Sequence, residues 1–405
     1  MRLLFLSPTG QYGGAEAALF ELLAGLRERC PEWRLSVVAA SEGPLIERVR
    51  ALGVIVTVLP FPARLARVGE WAAGTSGLRQ LRLAAACLAA AWGALGYLRR
   101  LRRVVAEHAP DIVQSNGVKM HLLSAWVAPR GAAVVWHVHD YVSRRAMTSR
   151  ALRAMAGWCA AVVANSDSVA RDLEHVLGRR VRIHRVWNAV DLDRYSHLGP
   201  ALDLDQLAGL PAPGAGVTRV GLVATFARWK GHAAFLRALS LLPETLGVRG
   251  YIVGGPVYTT GSSQVSLDEL QTLAGEKGLA GRVGFVGYVP DTAAAMRALD
   301  VVVHASTEPE PFGLVIAEAM ACRRAVVASA GGGAAELIEP GVTALSHEPG
   351  DVTGLADRIR MLVADVALRA RLASAARETA ERAFARTRMV GELVPVYLTL
   401  APGRT

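Results

Sequence analysis

Val301-Val302-Val303-His304-Ala305-Ser306-Thr307-Glu308-Pro309-Glu310-Pro311-Phe312-Gly313-Leu314-Val315-Ile316-Ala317-Glu318-Ala319-Met320-Ala321 is the stretch that decides the fold. A short apolar run of strand type feeds a Pro-punctuated acidic turn. Small and apolar residues of helical length follow, with Gly313 near their entry. Such a strand–loop–helix unit places ligands beyond the carboxyl ends of parallel strands. The helix start offers free N–H groups and a positive dipole end, yet Glu310 and Glu318 flank it. A bare anion would be repelled by both. A ligand bearing hydroxyls and a diphosphate fits better: the hydroxyls donate to carboxylates while the diphosphate takes amides and cations.

These residues resemble the family-4 retaining glycosyltransferases of GT-B fold (glycosyl transferases group 1). Their signature is two glutamates separated by seven residues, here Glu310 and Glu318 within E-P-F-G-L-V-I-A-E-A-M-A. The resemblance implies that Glu310 contacts donor-sugar hydroxyls and Glu318 the nucleotide ribose, with Phe312, Gly313 and Leu314 also at the donor. It implies an α/β, GT-B architecture: two Rossmann-like, doubly wound domains facing across a cleft.

The chain has 405 residues, 52% hydrophobic and 20% charged, which suits two globular domains. Its four cysteines (Cys30, Cys87, Cys159, Cys322) are scattered without a C-x-x-C pair, reading as reduced, buried thiols of a cytoplasmic protein. The N-terminal run is too short in apolar length for a signal peptide and reads as a first strand. The net charge of +10 concentrates between Arg64 and Arg103, where eight arginines face one Glu70. Nucleic acid is a weak reading of that charge, because no binding motif accompanies it and aromatic residues are only 6%. The helical stretch from Leu78 to Val105 holds an uncharged run, Leu83–Leu98, too short for a membrane span. It reads as a core-facing helix with a basic end. The alternative is an interfacial helix on an anionic membrane surface, peripheral on its inner face.

In the first half, strands at Arg2–Ser7, Leu35–Ala40 and Val54–Leu59 alternate with helices from Ala17 and over Pro44–Leu52. That is βαβ, hence a parallel sheet. Gly13 and Gly14 let backbone approach a ligand at a helix start; they match the family's N-terminal glycine loop. Further strands are expected at Asp111–Ser115, Ala132–Val138 and Val162–Asn165, the last leading into a helix capped by Ser166. His137 and His139 alternate onto one strand face beside Asp140, so H-x-H-D could be half of a metal site, although no further spacing completes it. The resemblance instead puts His139 close to the donor sugar and leaves His137 to packing. Trp187-Asn188-Ala189-Val190-Asp191 resembles the family's N-G-V-D segment with alanine for glycine, which is strained if the backbone needs positive φ.

The second half restarts the alternation after a polar, Pro/Gly-rich segment. The expected division is residues 1–196 as the acceptor-side domain, 197–217 as linker, 218–386 as the nucleotide-sugar domain, and 387–405 as a helix crossing back. The strand Arg219–Ala224 leads to Thr225-Phe226-Ala227-Arg228-Trp229-Lys230-Gly231. Only three lysines occur in the chain, and cations at a strand end suit a leaving diphosphate. The family writes G-R-x-x-x-x-K-G here; Lys230-Gly231 matches, but Thr225 stands at the arginine, so Arg228 is the candidate substitute. Gly254-Gly255 and Tyr288 follow strands where the family's nucleotide passes, and Val257–Ser266 reads as a flap. Gly331-Gly332-Gly333-Ala334-Ala335-Glu336 resembles the family's G-G-x-x-E turn.

The expected activity is retaining transfer of a sugar from a nucleoside diphosphate to a hydroxyl of a glycan, lipid-linked or small-molecule acceptor, as in cell-envelope or glycoconjugate synthesis. Lys230, Arg228, Glu310 and His139 carry it, with no cofactor and no metal. The rival readings are a sugar-nucleotide epimerase, a non-catalytic sugar-nucleotide-binding partner of another transferase, and a metal-dependent hydrolase using His137, His139 and Asp140.

Overall fold

The computed structural model describes residues 1–62, 78–256 and 264–401, with the backbone alone for 78–92. The chain divides into two compact units, Met1–Val186 with Met389–Thr405, and Trp187–Arg388.

The first unit is a seven-stranded parallel sheet. Its strands are β1 (Arg2–Ser7), β2 (Arg34–Ala39), β3 (Ile55–Val58), β4 (Ile112–Asn116), β5 (Ala133–Val138), β6 (Ala161–Ala164) and β7 (Ile183–Arg185), in the order β3-β2-β1-β4-β5-β6-β7. Central strands are buried along nearly their whole length, as expected where helices cover both faces of a sheet. The helix after β6 shows how locally the elements are specified. Ser166 caps it by accepting from the Val169 amide at 3.1 Å, and it ends against Gly178.

The second unit repeats the plan with six strands: β8 (Thr218–Val223), β9 (Val248–Val253), β10 (Val283–Gly287), β11 (Val301–His304), β12 (Ala325–Ser329) and β13 (Leu345–His347). They run in the order β10-β9-β8-β11-β12-β13. In each sheet the order reverses once, between β1 and β4 and between β8 and β11. Rossmann-like sheets bind ligands beside that reversal.

Residues 197–217, expected as a linker, lie inside the second unit. Asp205, on the short helix Leu204–Leu207, is buried and accepts from Arg219 at 2.8 Å, Arg249 at 2.6 Å and the Tyr251 hydroxyl at 2.7 Å. Burial alone would raise its pKa, but Tyr251 and the two guanidiniums outweigh that and hold the carboxyl below the usual range. A polar segment without periodicity is thus pinned by an ion-pair network, together with the buried Leu204 and the bond from Arg297 to the Pro200 carbonyl at 2.6 Å. Ala189 has no positive φ, so its turn differs from a glycine turn rather than being strained.

The first helix starts at Gly14, three residues before the expected Ala17. The helices Val118–Val127 and Ala146–Met155 go beyond the sequence reading. The helix at Leu78 runs to His108, and Tyr97, Leu101 and Val105 pack into the core of the first unit. That is the core-facing alternative for its second half; Arg64, Arg67 and the side chains of Arg79 and Arg82 lie outside the described residues. Among the described residues no helix is long and apolar enough to cross a membrane. The flap expected at 257–266 falls mostly on 257–263, also outside them. Cys30, Cys159 and Cys322 are buried free thiols; the Cys87 side chain is not among those described.

Candidate active site

The reversal in the second sheet brings the loops after β8 and β11 together. Gly231, at the end of the β8 loop, has φ +77°, and a Cβ there would come within 1.8 Å of the Ala305 carbonyl oxygen just past β11. Only glycine lets the two loops touch. The Thr307 amide then donates to the Trp229 carbonyl at 2.8 Å, clipping one loop to the other. On the far side, the Glu310 amide donates to Gly331 at 3.2 Å and Gly333 donates back to Glu310 at 2.7 Å. Glu310 is therefore held by its backbone between the glycine run and the β8 loop.

Its side chain is the centre of a charged cluster. Lys230 Nζ donates to Oε1 at 2.5 Å, Ser306 Oγ donates to Oε2 at 2.7 Å, and His304 Nε2 stands 2.6 Å from Oε2. Ser329 Oγ fixes the loop by donating to the Ser306 carbonyl at 2.7 Å. Burial alone would push the Glu310 carboxyl up, but Lys230 and His304 reverse the shift and hold it well below the ordinary range. The carboxylate is thus ionised at any neutral pH. Lys230 also lies over the Trp229 ring, 4.1 Å from its centroid.

Of the residues expected to act together, Lys230 and Glu310 meet directly. Arg228 does not join them: its guanidinium donates to Glu269 at 2.9 Å, an exposed pair in which Glu269 also caps the helix Leu267–Glu276. Glu318 lies on the helix Leu314–Ala321, where burial and then its charge push the Tyr195 hydroxyl well above the usual phenol range. Tyr195 also bonds Thr292 at 2.8 Å. Phe312 packs in the core, edge-on to Phe384 and 3% exposed. Gly313 caps the helix start and Leu314 packs partly into the same core. Gly254, at φ +141°, approaches Ala224 so closely that a Cβ would lie 2.0 Å from its carbonyl oxygen. Gly255 accepts from the Phe226 amide at 3.1 Å, and Tyr288 stands 72% exposed beyond β10.

The first unit presents a different group of side chains at the ends of β4, β5 and β6. Asn116 (both amide atoms), His137 (Nε2), His139 (both ring nitrogens) and Asn165 (Oδ1) hold buried polar atoms without a protein partner. The His137 and His139 rings lie 4.1 Å apart between centroids. Burial lowers the pKa of His139 to about 4 and that of His121 to about 3, and pushes His137 well down, so all three are neutral. Gly13 caps the first helix, and its amide donates to Glu16 Oε2 at 3.2 Å, so a side chain of the protein already occupies that helix start. Beside Gly14 there is open space. Asp140 bonds the Tyr141 amide at 2.8 Å and pairs with Arg145 at 3.5 Å. Among the described residues no group of three His, Cys, Asp or Glu side chains is placed to hold a metal ion.

His304 and Ser306 escaped the sequence reading, as did Asn116 and Asn165 as site residues. A signal existed for some of them. Gln114-Ser115-Asn116 and His304 put polar side chains on fully buried parallel strands, where apolar residues are the rule.

The family model described as "Glycosyltransferase Family 4" matches residues 12–194, and that described as "Glycosyl transferases group 1" matches residues 216–379. The chain is similar to D-inositol 3-phosphate glycosyltransferase of Xylanimonas cellulosilytica, 34% identical over 245 residues, covering 58% of this chain and 56% of that protein. The namesake from Mycobacterium tuberculosis is 35% identical over 225 residues, covering 54% of this chain and 45% of it. The chain thus spans about half the length of the curated relatives it matches. Among solved structures, Anabaena HepE in complex with UDP and glucose is similar at 26% identity and a TM-score of 0.79, covering 98% of this chain and 99% of that one.

Proposed function

Because the chain belongs to the group 1 glycosyltransferases, with their two-domain GT-B architecture, we propose that it moves a sugar from a nucleoside diphosphate to an acceptor hydroxyl with retention of configuration. The observation that carries this reading is the Lys230–Glu310 contact at the reversal point of the second sheet. An ammonium beside that crevice neutralises a departing diphosphate, the largest charge that develops in such a transfer. The carboxylate accepts from sugar hydroxyls, and His304 and Ser306 hold it in place while Lys230 turns to the phosphate. That HepE was crystallised with UDP-glucose supports a uridine donor. Glu318, with Tyr195 and Thr292 beside it, is the proposed ribose-binding group.

The proposal of retention rests on the family resemblance, and the cluster bears on its route. A carboxylate already bound by lysine, serine and histidine, with its basicity driven down, is a poor nucleophile. The front-face route, in which the leaving phosphate takes the acceptor's proton, is therefore the mechanism we assign. His139 is the proposed sugar-contacting group of the first unit. The acceptor is a glycan, lipid-linked or small-molecule hydroxyl, and the protein acts in the cytoplasm with no metal required.

Screening UDP-, GDP- and ADP-sugars for protection against heat unfolding tests the donor, since a ligand of the folded state raises its apparent stability. Protection by none of them overturns the proposal. NMR of the product anomer tests retention, and an inverted product refutes it. Arg99, Arg100, Arg102 and Arg103 gather exposed positive charge in the second half of the helix Leu78–His108, and we propose peripheral association with anionic membrane there. Sedimentation with anionic but not neutral vesicles, weakened by salt, is the expected result; equal sedimentation with both removes it.

A further inference from the structure

The last helix, Arg386–Leu400, contributes a buried tyrosine to the sheet of the first unit. The Tyr397 hydroxyl donates to Gln114 Oε1 at 2.6 Å, and Gln114 Nε2 lies 3.3 Å from His137 Nδ1. All three side chains are buried, at 0%, 0% and 1% exposure. Two arrangements of hydrogens join three such groups. In one, the tyrosine donates to the amide oxygen and the amide nitrogen donates to Nδ1. In the other, the amide is reversed and Nδ1 carries the proton. The second leaves the tyrosine hydrogen without an acceptor in a fully buried site, which is costly. The first satisfies it. A neutral His137 that accepts at Nδ1 carries its proton on Nε2.

That Nε2 has no partner in the protein. Around it, both amide atoms of Asn116, both ring nitrogens of His139 and Oδ1 of Asn165 are equally unpaired, and strand register sets Asn116 beside His137. Buried polar groups are normally satisfied, and a cluster left open at strand ends points to a ligand. The cations nearest in sequence are engaged elsewhere. Lys119 faces the Phe61 ring at 5.7 Å, Arg144 lies 4.7 Å over Tyr141, and Arg145 pairs with Asp140.

We infer that Tyr397, acting through Gln114, holds His137 as the Nε2–H tautomer, so that His137 donates to an oxygen of an uncharged polyhydroxy ligand bound at the ends of β4, β5 and β6. Tyr397 and Gln114 are positioning residues. The assignment of this ligand as a sugar-type acceptor rests on the proposed transferase reading; the tautomer does not.

The test is ¹⁵N NMR of the full chain labelled at histidine, with the His137 signal identified by its loss in His137→Gln. The wild type is expected to show the Nε2–H tautomer. Gln114→Glu replaces the amide donor by an acceptor and is expected to flip His137 to Nδ1–H, while Tyr397→Phe gives a mixture. Titration with myo-inositol and methyl α-D-glucopyranoside is expected to shift the wild-type signal, with at least tenfold weaker binding in Gln114→Glu. An Nδ1–H wild type, or one tautomer common to wild type and both variants, overturns the relay. If neither probe moves the signal, or if Gln114→Glu binds them as tightly, the donor role falls. Should Gln114→Glu fail to fold, Tyr397→Phe decides the relay and the wild-type titration the donor role. No step needs a nucleotide sugar, so failure of the transferase reading stays distinguishable.

Discussion

The two sheets share one strand order through their first six strands, yet they furnish their carboxyl ends with opposite chemistry. At the reversal of the second sheet the centre is an ionised carboxylate already bound by its neighbours: Lys230, His304 and Ser306 all reach Glu310, and of this set only His304 Nδ1 is left without a protein partner. In the first sheet the groups are neutral and unsatisfied: Asn116, His137, His139 and Asn165 have buried atoms with no protein partner. A pre-paired set of charges suits a charged ligand, which re-partners it without leaving a bare ion. Open neutral donors and acceptors suit a ligand made of hydroxyls, each unpaired group costing about 1–3 kcal/mol until filled. The backbone plan fixes where ligands go, and the side chains at the strand ends decide their kind.

The contrast can be broken most directly at its charged end. Glu310→Ala and Lys230→Ala should each lower sugar transfer from a nucleotide sugar by about 10²–10³-fold or more. Each should also cost about 3–5 kcal/mol of stability by stranding a buried charge, and the double variant much less than the sum. Additive losses in a denaturant-unfolding cycle would show that the two groups are not a pair.

Acid should separate the units next. His121 and His139, with pKa values of about 3 and 4, stay neutral when folded but protonate near 6.5 when unfolded. The unfolded chain binds more protons below pH 6.5, so stability is lost as pH falls from there toward 4. The loss is about 1.4 kcal/mol per unit per histidine. His232, at about 4, and His347, also lowered by burial, add two such groups to the second unit, while His137 adds a further one to the first. Glu310 works at a lower pH: its depressed pKa contributes stability that is fully present above the usual carboxylate range and lost only below it. Hydrogen exchange at pH 7 and pH 5 should therefore show the first unit opening sooner; equal loosening would blur the distinction.

Asn116→Leu sharpens the neutral end. Replacing an unpaired buried amide by an apolar side chain of similar size should raise stability by about 1–2 kcal/mol in urea unfolding, while polyol binding is lost. A destabilised variant would mean the amide is paired after all. The smallest effect is expected at Arg228→Ala. An exposed ion pair with Glu269 contributes at most about 1 kcal/mol, and turnover should stay within a few-fold of wild type. A hundredfold loss would return Arg228 to the leaving-group machinery.

Much of this was legible in the sequence, for physical reasons that can be named. Strand and helix alternation follows from apolar run length, and the Glu310–Glu318 unit with Lys230-Gly231 marks the second site because charge is rare at strand ends. The first site was half legible. His139 stood out, whereas the contact of His137 with Gln114, a neighbour across the sheet, and of Gln114 with Tyr397, 283 residues further on, leaves no trace in the local sequence. The pairing of Arg228 with Glu269, 41 positions away, is likewise invisible to a one-dimensional reading. The polar stretch 197–217 read as a connector because its anchors, Asp205, the buried Leu204 and backbone groups of Pro200, Leu202 and Pro211, are scattered and leave no period.

The contact between Gly231 and the Ala305 carbonyl bears on any attempt to retool this protein for another sugar. A saturation library across the β8 loop should come back with a hole at position 231, and another at 254, whatever the selection rewards, because no side chain fits under either carbonyl. Randomised codons belong at 228, whose side chain is exposed and can change without forcing the loops apart.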